Sequence, residues 1–187
     1  MVGMIVLGVI VFIIFVAIFY IVGMYNRLIS LKNQVPQSFA NIDVLLKQRH
    51  DELPKLVEVV KGYAAHEKET LERVIQARNR YMSAGSIDEK LEANNMITGA
   101  LKQLFALSEK YPDLKANENF LALQRRITDI ENSIADRREM YNFTVTNFNT
   151  VIEQFPEVIL AGMMSLKKFP LFQAAEEDKA DVEISFS

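Results

Sequence analysis

The sequence predicts an all-α protein: one membrane-spanning helix at its start, an antiparallel long-helix bundle of four-helix type behind it, and a short strand-like or disordered tail. Three observations predict this. Residues 2–26 carry no charged side chain, the first charge being Arg27. Apolar residues then recur at three- and four-residue steps through most of the body, the period of an amphipathic helix. The two longest stripes are nearly equal in length with two shorter ones between them, the pattern of helices that run out and back.

The first element is the apolar block Val2–Met24, 23 residues long. At ~1.5 Å per residue it makes ~34 Å of helix, enough to cross a ~30 Å hydrocarbon core with some tilt. No Lys or Arg precedes it and it ends Ile21-Val22-Gly23-Met24, unlike a signal peptide with its basic lead and small-residue cleavage site. An uncleaved anchor is expected. Arg27 and Lys32 come soon after it and no acid appears before Asp43. The positive-inside rule then puts the body in the cytoplasm and a very short N-terminus outside.

The first body segment, Tyr25–Gly62, carries Leu28, Leu31, Val35, Ile42, Leu45, Leu46, Leu53, Leu56, Val57 and Val60 on helical spacing. Pro36 and Pro54 each remove an i→i−4 bond and are expected to bend it. A second helix, about Glu67–Ala84, keeps a thinner stripe of Leu71, Val74, Ile75 and Met82. Ser86-Ile87-Asp88-Glu89 reads as a capping box opening a third helix, which must stop before Pro112. Pro112–Asn117 is expected to be a loop, with Asn117 or Asn119 capping the next helix. That fourth helix, about Asn119–Gln154, has Phe120, Ile127, Ile134, Tyr141, Phe148 and Phe155 at every seventh position. Asn142 and Asn149 sit beside that seam, placed either to fix register or to face water.

If the first helix climbs away from the bilayer, the fourth returns to it. The stretch delivered there is apolar and lysine-flanked, and Met163, Met164, Leu166, Lys167, Lys168, Phe169 and Phe172 form a candidate membrane-interface set. Ordinary core at the base of the bundle is the equal alternative. The domain plan is therefore 1–24 anchor, 25–156 helical bundle, 157–172 interfacial segment and 173–187 acidic tail.

Composition narrows the function. The net charge is −3, and Glu176, Glu177, Asp178, Asp181 and Glu183 against Lys179 put −4 of charge in the tail. The body is left near neutral, which argues against nucleic acid as a partner. There is no cysteine, so neither a disulfide framework nor a thiolate metal site exists. Thr70 stands where a metalloprotease helix opening at His66 needs its second histidine. No glycine-rich phosphate loop or nucleophile elbow occurs, so no catalytic, cofactor or metal residues are assigned. The polar residues most apt to have a task are Asp43, Lys47, Arg49, His50, Asp51, His66 and Glu67, as a partner surface or as a structural tie between the first two helices.

Several stretches resemble the LemA family of bacterial membrane-anchored helical proteins: Ile42-Asp43-Val44, Arg49-His50-Asp51, Val60-Lys61-Gly62-Tyr63, His66-Glu67-Lys68, Tyr111-Pro112-Asp113-Leu114-Lys115-Ala116-Asn117, Glu131-Asn132, Tyr141-Asn142 and Phe155-Pro156. The likeness covers about residues 25–156; Phe39 departs from it, standing where the family often has tryptophan. It implies a single N-terminal span and a helical-bundle body, and no reaction. The expected function is a non-enzymatic membrane scaffold or adaptor, with the lipid bilayer, further copies of itself and a second membrane protein as partners. The rivals are an accessory subunit of a membrane protease or envelope-stress complex, and a metal- or ligand-dependent enzyme or sensor built on the polar set.

Overall fold

A computed structural model describes residues 1–173, and every regular element among them is helical. The expected strand-like or disordered tail lies, from residue 174 on, outside the described residues. In chain order the helices are α1 (Val2–Tyr63), α2 (Lys68–Ser83), α3 (Ile87–Ser108), α4 (Pro112–Lys115), α5 (Glu118–Val151) and α6 (Glu157–Met163).

Helix α1 fuses the apolar block and the first body stripe into one rod. Residues 1–23 are exposed throughout, and α1 is the one described helix long and apolar enough to cross a bilayer. Pro36 and Pro54 lie inside α1 and neither ends it. Both rings are exposed, so each substitutes on the outer face of the helix rather than in its packing seam. Beyond the apolar block the buried positions run Leu28, Val35, Ile42, Arg49, Leu56 and Phe39, Leu46, Leu53, Val60. Each series steps by seven, the spacing of a helix that keeps one seam against a partner.

That partner is α5. Phe120, Ile127, Ile134, Tyr141 and Phe148 are buried on it, together with Ile130, Val145 and Val151. The pairings between the two helices climb one as they descend the other: Tyr63 with Asn117, Glu52 with Arg126, Arg49 with Glu131, Phe39 with Tyr141. Phe155, the last member of the seven-residue series, is 80% exposed. Helix α5 stops at Val151, so the phase that would have buried Phe155 is lost in the turn beyond it.

Helices α2 and α3 form a hairpin closed by the predicted capping box. Ser86 Oγ accepts from the Glu89 N–H at 3.2 Å, and Glu89 Oε2 accepts from the Ser86 and Gly85 N–H groups at 3.2 and 2.7 Å. These backbone donors hold the Glu89 carboxyl below its usual pKa. The buried stripe of α2 is Leu71, Val74, Ala77 and Tyr81. Ile75 and Met82, expected in it, face outward because the inward phase passes from Val74 to Ala77 and Tyr81. The Pro112–Asn117 loop is in fact one helical turn, α4, with Pro112 in its first turn, where a missing N–H costs nothing. Asn117 caps α5, accepting from the Phe120 N–H at 2.9 Å.

The hairpin does not reach the membrane end. Its bend meets α1 at Asp43, through Tyr81 and Lys90, ~28 Å along α1 from Met24.

Candidate functional site

Arg49 occupies a core position of the α1 seam, seven residues after Ile42 and seven before Leu56, and its side chain is fully buried. A guanidinium survives there only if its donors are met by acceptors. Nη1 donates to Thr98 Oγ1 at 3.0 Å and to the Glu131 carboxylate. Nη2 donates to the Asn94 carbonyl at 3.3 Å and to the Asn94 side-chain oxygen. One side chain thus joins α1, α3 and α5. Burial lowers the Arg49 pKa, and the facing Glu131 opposes that shift. Nε is left without a hydrogen-bond partner.

A second cluster lies nearly two turns nearer the apolar end of α1. Both Asp43 oxygens accept from Lys90 Nζ at 2.8 Å, and Oδ1 also accepts from the Tyr81 hydroxyl at 2.9 Å. Burial first, and then Asp43, raise the Tyr81 pKa. The His50 ring is buried against Tyr81, with centroids 5.6 Å apart, and its Nδ1 lies 3.1 Å from Asp51 Oδ1.

The seven polar residues singled out in the sequence therefore separate. Asp43, Arg49, His50 and Asp51 belong to one stretch of α1; Lys47 faces solvent. His66 is exposed in the turn after α1, and Glu67 accepts from the Tyr111 hydroxyl at 3.1 Å. That is the far tip of the molecule, at least ~21 Å beyond Arg49. The contacts of Arg49 and Asp43 reach α2, α3 and α5, so the tie is wider than one between the first two helices. Tyr81, Lys90, Asn94, Thr98 and Glu131 complete it. The heptad phase of Arg49 flags a buried charge; nothing local flags its partners. Among the described residues no three of His, Asp and Glu gather as a metal site.

The candidate membrane-interface set also separates. Asn149 Nδ2 donates to the Phe169 carbonyl at 2.9 Å while its oxygen accepts from the Phe169 N–H at 3.0 Å. Asn142 repeats the pair on Phe172 at 2.9 and 2.7 Å, and the Tyr141 hydroxyl donates to the Pro170 carbonyl at 2.9 Å. Two helical turns separate the asparagines, ~10.5 Å, and three residues of extended chain cover nearly the same distance. Residues after α6 therefore turn back along α5. Phe169 packs on Phe148 with centroids 5.3 Å apart, and Phe172, 2% exposed, lies under Arg138. Both are fastened to the bundle, which removes Phe172 from the residues able to face lipid. Met164 and Leu166 are half-buried, while Met163, Lys167 and Lys168 remain outside.

Residues 38–186 match the model of the LemA family. The chain is 31% identical over 181 residues to Protein LemA of Metamycoplasma hominis, spanning 93% of this chain and 81% of that one. It is 23% identical over 175 residues to Magnetosome protein MamQ 2 of Paramagnetospirillum magneticum, over 80% of this chain and 64% of that one. Magnetosome protein MamQ of Magnetospirillum gryphiswaldense is likewise 23% identical, over 174 residues.

Proposed function

The chain belongs to the LemA family, and from that premise we propose that it is a non-enzymatic scaffold or adaptor. It is tethered by the N-terminal part of α1 to a bacterial plasma membrane, with an antiparallel four-helix-type bundle held on the cytoplasmic face. The observation that carries this is the continuity of α1: the same helix that exposes an all-apolar surface over residues 1–23 supplies the central seam of the body. The polar groups in that seam support the same reading. Asp43 is spent on Tyr81 and Lys90, and Arg49 on Asn94, Thr98 and Glu131, the arrangement of a structural tie rather than of a nucleophile beside a base. Arg27 and Lys32, directly after the apolar block, support the cytoplasmic orientation.

Copies held in one membrane plane meet at a raised effective concentration, and Met140 and Phe143, one turn apart on α5 and 61% and 71% exposed, offer an apolar contact between them. Self-association is therefore part of the proposal. Crosslinking in native membranes should give a ladder of homo-oligomers that thins when Phe143 is replaced by Ser. A clean monomer would overturn self-association, and a single stoichiometric foreign chain would favour an accessory-subunit role instead.

A further inference from the structure

Helix α6 sits at a defined height. Arg27 Nη1 donates to Glu157 Oε1 at 2.8 Å, and Glu157, although charged, is only 9% exposed. The crevice around the pair is lined by Phe19, Tyr20, Gly23, Met24, Arg27 and Glu157. Phe19 to Arg27 is ~12 Å of helix and contains the end of the apolar block. The start of α6 is thus level with the point where α1 passes from apolar to charged.

Glu157 and Ala161 form the face of α6 turned into the molecule, and both are buried. The remaining face is apolar. Val158 is 42% exposed, Ile159 60% and Met163 78%, with Phe155 at 80% in the turn just before. With Glu157, Ala161 and the half-buried Leu160 already packed on the molecule, an apolar outer face calls for a second apolar neighbour. Lys167 and Lys168 come next, both exposed; Lys168 Nζ is paired with Glu153 Oε1 at 2.6 Å, and Lys167 stands where a cation meets anionic headgroups.

We propose that Phe155, Val158, Ile159 and Met163 enter the headgroup–acyl boundary of the leaflet beside α1, giving the molecule a second lipid contact at the foot of the bundle. The occupant is lipid because the patch is continuous with the surface α1 itself presents to the bilayer. It lies at the level where α1 emerges, and the exposed Lys167 borders it. The segment is thereby divided: α6 and the turn before it face lipid, whereas Phe169 and Phe172 are withheld by Asn149 and Asn142. The inference rests on the reading of α1 as a membrane span.

The chain has no cysteine, which allows single-cysteine probes in the full-length protein. Val11→Cys, Ile159→Cys, Met163→Cys and, on the bundle, Met82→Cys would each carry an environment-sensitive fluorophore. The protein is reconstituted in phosphatidylethanolamine–phosphatidylglycerol vesicles containing brominated lipid. Probes at 159 and 163 should emit to the blue of the probe at 82 and be quenched by shallow bromines, as expected for residues ~5–10 Å into the boundary. The probe at 11 should be quenched by deep ones. Quenching at 11 with 159 and 163 behaving like 82 overturns the lipid contact and leaves the tether standing. Crosslinking of 159 to 159 in a second chain, without quenching, overturns it in favour of a copy of this protein. No quenching even at 11 removes the span and the inference together.

Discussion

Asn142 and Asn149 each offer a peptide-like group to a stretch of backbone that has no helix or sheet to satisfy it. A side-chain amide pairs with the N–H and the carbonyl of one residue, as a neighbouring strand would. Asn142→Ala should therefore release the stretch around Phe172. Amide exchange there should accelerate and residues 165–172 become open to protease, with ~1–3 kcal/mol lost from the unfolding free energy for the backbone groups left unpaired. Asn142→Asp keeps the acceptor for the Phe172 N–H and loses the donor, and should give a smaller effect in the same assay. Unchanged exchange in both variants would show that the side chain at 142 does not hold the segment. Sequence spacing puts these asparagines beside the seam but leaves open what they touch, because Phe172 lies thirty residues further along the chain. The same distance hides the partners of Arg49, which lie 45 to 82 residues away. Its burial, by contrast, is written in the seven-residue spacing of α1.

At the level of elements, helix ends depend on local chemistry, and Ser86 is the clearest case. Ser86→Ala should cost about 1 kcal/mol in a thermal or denaturant melt. The box also carries a pH signature. Glu89 has a folded-state pKa below its ordinary value of 4.5. Its stabilisation is present above the unfolded pKa and is lost as pH falls through the folded one. The difference between wild type and Glu89→Gln should accordingly shrink as pH drops below 4.5, and a difference that stays constant would contradict the assignment. The box, the Asn117 cap, the break near Gly62 and the long α5 stripe are all legible in the sequence, since each involves residues within one or two turns. Misses come where the phase of a helix and not its existence is in question. Ile75 and Met82 read as inward from spacing alone, although Tyr81, polar at its tip, takes that place by reaching Asp43. Phe155 keeps its heptad number but not its helix. The turn α4 is hidden because Pro112 reads equally as a breaker and as a first helical residue.

At the scale of the whole molecule, the first 24 residues and the remainder obey different solvents. Each of residues 1–23 stays exposed, with only Phe19, Tyr20 and Gly23 beside Glu157 of α6, so a chain lacking residues 1–24 should keep the helicity and melting temperature of the body in the detergent-solubilised full-length protein. A collapse of the circular dichroism melt on removal of that stretch would show that it is part of the fold. Above Met24, α1 continues without interruption to Tyr63, a further ~58 Å. Span helices lean by different amounts in bilayers of different thickness. If α1 leans as one rod through Pro36 and Pro54, a lean of ~10° at its foot carries the Tyr63 end sideways by ~10 Å. The molecule is in effect a needle on a dial, and a small change in membrane thickness at its root becomes a broad sweep at its point.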